Sequence, residues 1–202
     1  MLYIKFTAAL FGLILIFNNV AHAELLGSRE KKSRNIDNFP KWVNMLERFQ
    51  EEESLCAKNN DCRLNKIANE IKKSSTDSKL EIIRKVNNYV NNIKYVKDSD
   101  GWNISDYWAT PAQFFEKGGD CEDYAIAKLS ILKKMGFKNK EMRVVVLKDI
   151  YKNIIHSILV VKINKQQYIL DNNIPKVINA NEIRHYKPIF SINEKNWWKH
   201  KV

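Results

Sequence analysis

The 202-residue sequence is poor in the residues that break or staple a chain, with six glycines, four prolines and three cysteines. So little Gly and Pro excludes a collagen-like or low-complexity chain, and so few cysteines exclude a disulfide-dense miniprotein. There is no internal repeat, no Gly/Ser linker and only one long apolar run. One globular domain of ordinary size is the simplest account.

The apolar run occupies residues 6–17, behind Lys5 and ahead of Asn18-Asn19 and Ala21-His22-Ala23. It is too short for a mature membrane span, which takes about 20 apolar residues. A cation, an apolar stretch and an Ala-x-Ala site predict a cleavable secretory signal peptide over residues 1–23, cut after Ala23. The remaining residues 24–202 are expected to form one domain that does not span a membrane, with residues 24–38 flexible. Net charge is +11, and the leader removes one lysine and no acid. The basic residues are scattered in pairs such as Lys31-Lys32, Lys72-Lys73 and Lys133-Lys134. That pattern reads as a solvated basic surface, and no nucleic-acid partner is expected.

In an oxidising space an odd cysteine count leaves one thiol to explain. Cys56 and Cys62 flank the turn-forming stretch Asn59-Asn60-Asp61. A local disulfide is the favoured reading of this pair, although spacing alone does not supply the geometry a bridge needs. Metal binding there is disfavoured, because no histidine or further cysteine lies near. Cys121 is then the unpaired thiol.

The N-terminal half reads as helical. Trp42, Met45, Leu46 and Phe49 recur at helical spacing to about Glu53, and a second helix is expected over residues 64–73. Asp77 or Ser78 can cap a third, with Ile82, Ile83, Val86, Val90 and Ile93 as its apolar stripe. Residues 96–119 look like a loop, with a turn at Asp98-Ser99-Asp100-Gly101 and a short turn of helix from Pro111. Residues 120–135 form a helix with Gly136 at its C-terminal cap. Residues 142–148, 156–163 and 167–170 read as antiparallel strands, the last two joined by a turn at Asn164-Lys165. The expected fold class is α+β.

Cys121 therefore falls on the first turn of a helix, where unpaired N–H groups and the helix dipole favour thiolate. A nucleophilic thiol needs a base. Outside the leader the histidines are His156, His185 and His200. His185 follows a polar segment and His200 lies in the C-terminal tail, whereas His156 begins a strand. The next strand ends at Asp171, so a hairpin can bring Asp171 beside His156 to orient the imidazole. Cys121, His156 and Asp171 are the candidate triad. Each also has an ordinary alternative: a small buried residue, a satisfied strand histidine, a turn aspartate.

Asp120, Glu122 and Asp123 crowd this thiol, and uncompensated negative charge opposes ionisation of a cysteine. These acids either complement the helix N-terminus as caps or hold a divalent cation such as calcium, which takes several oxygen ligands. Asp120 and Asp123, three apart, can share a helix face. An acyl-transfer reaction here would use the Cys121 backbone N–H as one oxyanion donor, with a second donor unidentified. Trp108 is a candidate for shaping the cleft.

Tyr107-Trp108-Ala109-Thr110-Pro111, then Gly119-Asp120-Cys121-Glu122-Asp123-Tyr124-Ala125, with a later His and Asp on successive strands, resembles the bacterial transglutaminase-like cysteine proteinases, specifically their LapG-type periplasmic branch. The similarity is dense over residues 87–171. It implies a papain-like, transglutaminase-type core with the cysteine helix packed on an antiparallel sheet. It also implies calcium (Ca2+) dependence carried by Asp120, Glu122 and Asp123. The implied activity is endoproteolysis near the N-terminus of a large cell-surface adhesin in the periplasm, controlling biofilm attachment. The implied regulator is an inner-membrane receptor, of the LapD type, that senses cyclic di-GMP and sequesters the protease. A transglutaminase-type acyltransferase and a non-catalytic calcium-binding protein are the alternatives.

Overall fold

The computed structural model describes residues 25–59, 62–74 and 78–202. The expected leader and its cleavage site lie outside them. Six helices are described: α1 (Pro40–Asn59), α2 (Arg63–Lys73), α3 (Lys79–Asn91), α4 (Asp98–Gly101), α5 (Pro111–Lys117) and α6 (Cys121–Lys134). The strands are β1 (Arg29–Ser33), β2 (Met142–Asp149), β3 (Ile154–Ile163), β4 (Gln166–Leu170), β5 (Ile178–Asn179), β6 (Tyr186–Ile192) and β7 (Trp197–Lys201). They form one antiparallel sheet in the order β1-β7-β6-β2-β3-β4-β5. The fold is α+β and transglutaminase-like, with helices segregated to one side of the sheet.

The two-residue period of the strands separates two cores. Val144 and Val146 of β2 and Leu159 and Val161 of β3 face the helices. Val145, Leu147, Ile158 and Val160 face the opposite layer, where Leu25, Ala180 and Tyr186 cover them. α6 is buried on nearly every side, from Glu122 to Leu132, as a helix sandwiched between a sheet and other helices must be. It packs on β3 and on α2, α3 and α5. Its end is a Schellman motif: Phe137 N–H donates to Leu132 O at 3.0 Å and Gly136 N–H to Lys133 O at 3.1 Å. Gly136 takes φ +91°, which a side chain would resist.

Several expectations are corrected. Residues 24–38 were expected to be flexible, yet residues 29–33 are β1, paired along its length with β7. Leu25 is buried in the second core. A lysine-rich segment makes a suitable edge strand because its charges discourage further pairing. The Asp98 turn is the four-residue helix α4, and α1 runs past Glu53 to Asn59. His200 is no tail residue. It is buried in β7, with Nδ1 2.7 Å from Ser28 Oγ and Nε2 2.9 Å from Ser191 Oγ. Cys56 and Cys62 are disulfide-bonded at 2.10 Å, and Cys121 is free. The Lys133-Lys134 pair is spent on ion pairs with Glu194 and Glu53. Among the described residues no helix is long and apolar enough to cross a membrane.

Candidate active site

Two glycines set the approach to Cys121. Gly118 has φ +84°, and a Cβ there would lie 2.3 Å from Lys94 O; a Cβ on Gly119 would meet Asp123 Oδ2 at 2.3 Å. This close approach lets Val96 N–H donate to Gly119 O at 2.9 Å and lets Asp123 fold back under the helix start. Asp123 Oδ2 accepts from Asp120 N–H at 3.1 Å, while Oδ1 accepts from Ala109 N–H at 2.7 Å. Asp123 thus closes a capping box with Asp120. Thr110 and Gln113 make a second capping box at the start of α5. Gln113 Oε1 also accepts from Arg48 Nη1 at 2.6 Å, which ties α1 to this loop.

His156 and Asp171 meet as the hairpin register requires. His156 Nε2 is 2.8 Å from Asp171 Oδ1, and both side chains are buried. Asp171 Oδ1 also accepts from Asn173 N–H at 2.8 Å, and Oδ2 accepts from Tyr186 Oη at 2.6 Å. Burial alone would raise the Asp171 pKa, but His156, Tyr186 and Asn173 together hold it below the ordinary carboxylate value. Asn91 Nδ2 donates to the Asp171 carbonyl at 2.8 Å, and Asn87 Nδ2 to Pro175 O at 2.9 Å. These two α3 residues, one turn apart, staple the segment that follows β4. Lys128 lies fully buried on α6, its pKa pushed down to about 7 by burial and partly restored by Asp171.

The Cys121 thiol meets the same strand one residue beyond His156. The Ser157 N–H bonds the sulfur, which lowers the thiol pKa. Burial first, then Glu122 and Asp120, push that pKa strongly up. Sγ donates to Glu122 Oε2 at 3.2 Å, and among the described residues it makes no hydrogen bond to His156. The structure therefore brings Asp171 to His156 and Cys121 to the adjacent Ser157, with the thiol proton directed at Glu122.

The acids divide into two overlapping groups. Ligand atoms of Asp98, Asp120 and Asp123 all lie within 4.8 Å of one another, as do those of Asp120, Cys121 and Glu122. Asp98 was not expected here. Its Oδ2 accepts from Tyr107 N–H at 2.5 Å, while Asp98 Oδ1 and Asp120 Oδ1 are buried without any hydrogen-bond partner. Two orphaned carboxylate oxygens converging on a third acid suit a hard cation. Burial and mutual repulsion raise Asp98 to about 6 and Asp120 and Asp123 each to about 8. Glu122 is raised as well, by burial first and Asp123 after it.

A cleft of about 700 Å³ opens over this centre. Trp42, Trp108, Phe39 and Phe190 line it, as do Asp98, Asp120, Glu122 and Tyr95, together with Cys121 and Ser157. Trp108 stands edge-on to Trp42 at 5.9 Å and donates Nε1–H to Asp106 at 3.0 Å. His185 lies apart from the thiol cluster, stacked on Tyr151 at 4.5 Å. Tyr95, Asn91 and Tyr186 carried no signal in the sequence, because each comes from an element remote in the chain. The Asp98-Ser99-Asp100 run was a signal for Asp98, but it reads equally as a turn.

A cysteine at the first turn of a helix laid against an antiparallel sheet, with a buried His–Asp pair on adjoining strands, defines a transglutaminase-like thiol-enzyme class. The chain belongs to the bacterial transglutaminase-like cysteine proteinase family, whose sequence model matches residues 52–200. It is similar to calcium-bound LapG of Legionella pneumophila at 28% identity and TM-score 0.58, over 66% of this chain and 76% of that one. An EGTA-treated form of the same protein matches at 25% identity and TM-score 0.58, over 69% and 85%. A further L. pneumophila LapG structure matches at 25% identity and TM-score 0.57, over 68% and 86%. No curated protein matches the sequence.

Proposed function

We propose that the chain is a calcium-dependent endoprotease in which Cys121 is the nucleophile, His156 the base and then acid, and Asp171 the residue that orients it. The buried His156–Asp171 bond is the observation that carries this reading. With Nε2 engaged by Asp171, Nδ1 is the nitrogen left to take the thiol proton. Asp98, Asp120 and Asp123 would hold calcium, with Glu122 beside them. Bound calcium supplies positive charge that offsets the acids around the sulfur. The orphaned oxygens of Asp98 and Asp120 support that assignment, as does similarity to a LapG that binds calcium.

The substrate is the N-terminal region of a large surface adhesin, cut in the periplasm after removal of the leader. A cyclic-di-GMP-sensing inner-membrane receptor withholds the protease and so preserves attachment. These finer assignments rest on the LapG-type resemblance. The test incubates residues 24–202 with the N-terminal region of the cell's own large adhesin, in calcium or in EGTA, beside Cys121→Ala. Cleavage by the wild type in calcium alone supports the reading. An uncut adhesin, or equal cutting by Cys121→Ala, refutes it, and crosslinking of amines to glutamine would point to a transglutaminase.

A further inference from the structure

The site described so far has one oxyanion donor, the Cys121 backbone N–H. We propose that the Tyr95 hydroxyl is the second donor, so that the oxygen of the attacked carbonyl is held between the start of α6 and the segment that follows α3. This rests on the thiol-acyl-transfer reading given above.

Main-chain contacts fix Tyr95 beside the nucleophile. Tyr95 and Gly119 form an isolated parallel bridge, and the Val96 N–H bond to Gly119 O locks the register two residues before Cys121. A side chain at Gly118 would collide with the Lys94 carbonyl, so the two segments touch backbone to backbone. The ring has its own support: it stacks on Tyr124 of α6, 6.4 Å between centroids at 24°. Tyr124 is itself tethered through its hydroxyl to the Ile93 carbonyl. A donor held on rigid elements needs little reorganisation when charge develops.

Tyr95 is also free to act. It is 51% exposed, it lines the cleft with Cys121 and Ser157, and its hydroxyl makes no hydrogen bond among the described residues. Two other side-chain donors that line the cleft are committed or closed off. Trp108 Nε1 is bonded to Asp106, and Trp42 Nε1 is buried away from solvent.

In the step assigned, the Cys121 sulfur forms a bond to the carbonyl carbon and the C=O π pair moves onto oxygen. That oxygen accepts hydrogen bonds from Cys121 N–H and Tyr95 O–H, and Tyr95 keeps its proton. When the pair returns, the C–N bond breaks and the amine leaves with the proton carried by His156.

The test compares Tyr95→Phe with wild type in two reactions of the same thiol. Acylation by a p-nitrophenyl ester passes through an oxyanion; alkylation by iodoacetamide does not. Tyr95→Phe is expected to slow Cys121 acylation about 100-fold, with apparent ester affinity within two-fold and the alkylation rate unchanged. Equal acylation rates would overturn the proposal, and so would an equal loss of alkylation, which would make Tyr95 a positioning residue for the sulfur. An ester-reactive wild type that cuts no peptide would contradict the protease reading alone. A wild type no more reactive than Cys121→Ala would remove both.

Discussion

Asp171 Oδ1 lies 2.8 Å from His156 Nε2, across the β3–β4 hairpin and one residue from the strand position that touches the Cys121 sulfur. In the proposed mechanism Asp171 engages Nε2 and so leaves Nδ1 for the thiol. Asp171→Asn should retain the fold but lower kcat by roughly 10³–10⁴-fold, as loss of the orienting carboxylate does in related triads. Steady-state kinetics beside circular dichroism checks this, and a loss below about ten-fold would remove Asp171 from the mechanism.

Asn91 holds the Asp171 main chain from the other side, through a 2.8 Å bond to its carbonyl. Asn91→Ala leaves that carbonyl without this donor. The expected result is about 1–2 kcal/mol of lost stability in urea unfolding, together with a drop in kcat larger than any change in KM. A stability loss with unaltered kcat would make Asn91 purely structural.

The thiol pKa is pushed up by burial, then by Glu122 and Asp120. A cation between those acids should reverse part of that push. Iodoacetamide should modify Cys121 faster in calcium than in EGTA, by roughly ten-fold if one pKa unit is relieved. Equal rates would separate calcium from thiol activation.

The same acids set a pH dependence. Asp98 is raised to about 6 and Asp120 and Asp123 to about 8 in the metal-free site. A carboxyl raised in the folded state binds more protons there than in the unfolded chain, so the metal-free fold loses stability as pH rises from about 4 to about 8. The Tm in EGTA should fall over that window, and calcium should flatten the slope. A Tm that rises from pH 6 to 8 in EGTA would contradict the assignment.

Asp98 joins the acid cluster from outside the helix. Asp98→Asn should weaken calcium binding at least about ten-fold by calorimetry, the scale on which even outer partners of a metal site act. Unchanged affinity would limit the site to Asp120, Glu122 and Asp123.

Much of this was legible in the sequence where a local pattern reports a local structure. The helical period around Ile82, Val86 and Val90 defines α3, and the β-branched runs with Asn164-Lys165 between them define β3 and β4. That is why the placement of His156 and Asp171 could be anticipated. β1, β6 and β7 were missed for physical reasons: β1 is an edge strand made wholly of charged or polar residues, Arg29-Glu30-Lys31-Lys32-Ser33, and β6 carries Pro188 beside a register shift in β2. Tyr186, which donates to Asp171, was lost with β6. Asp98, Asn91 and Tyr95 reach the centre only by tertiary packing, and no spacing along the chain records that.

The most direct measurement of the central claim is the mass of the enzyme quenched in acid during turnover of a cleaved substrate, followed by digestion to locate the adduct. A thioester between Cys121 and the N-terminal product fragment is the result this account predicts. Cleavage that continues with Cys121 unmodified, and that survives Cys121→Ala, would contradict it.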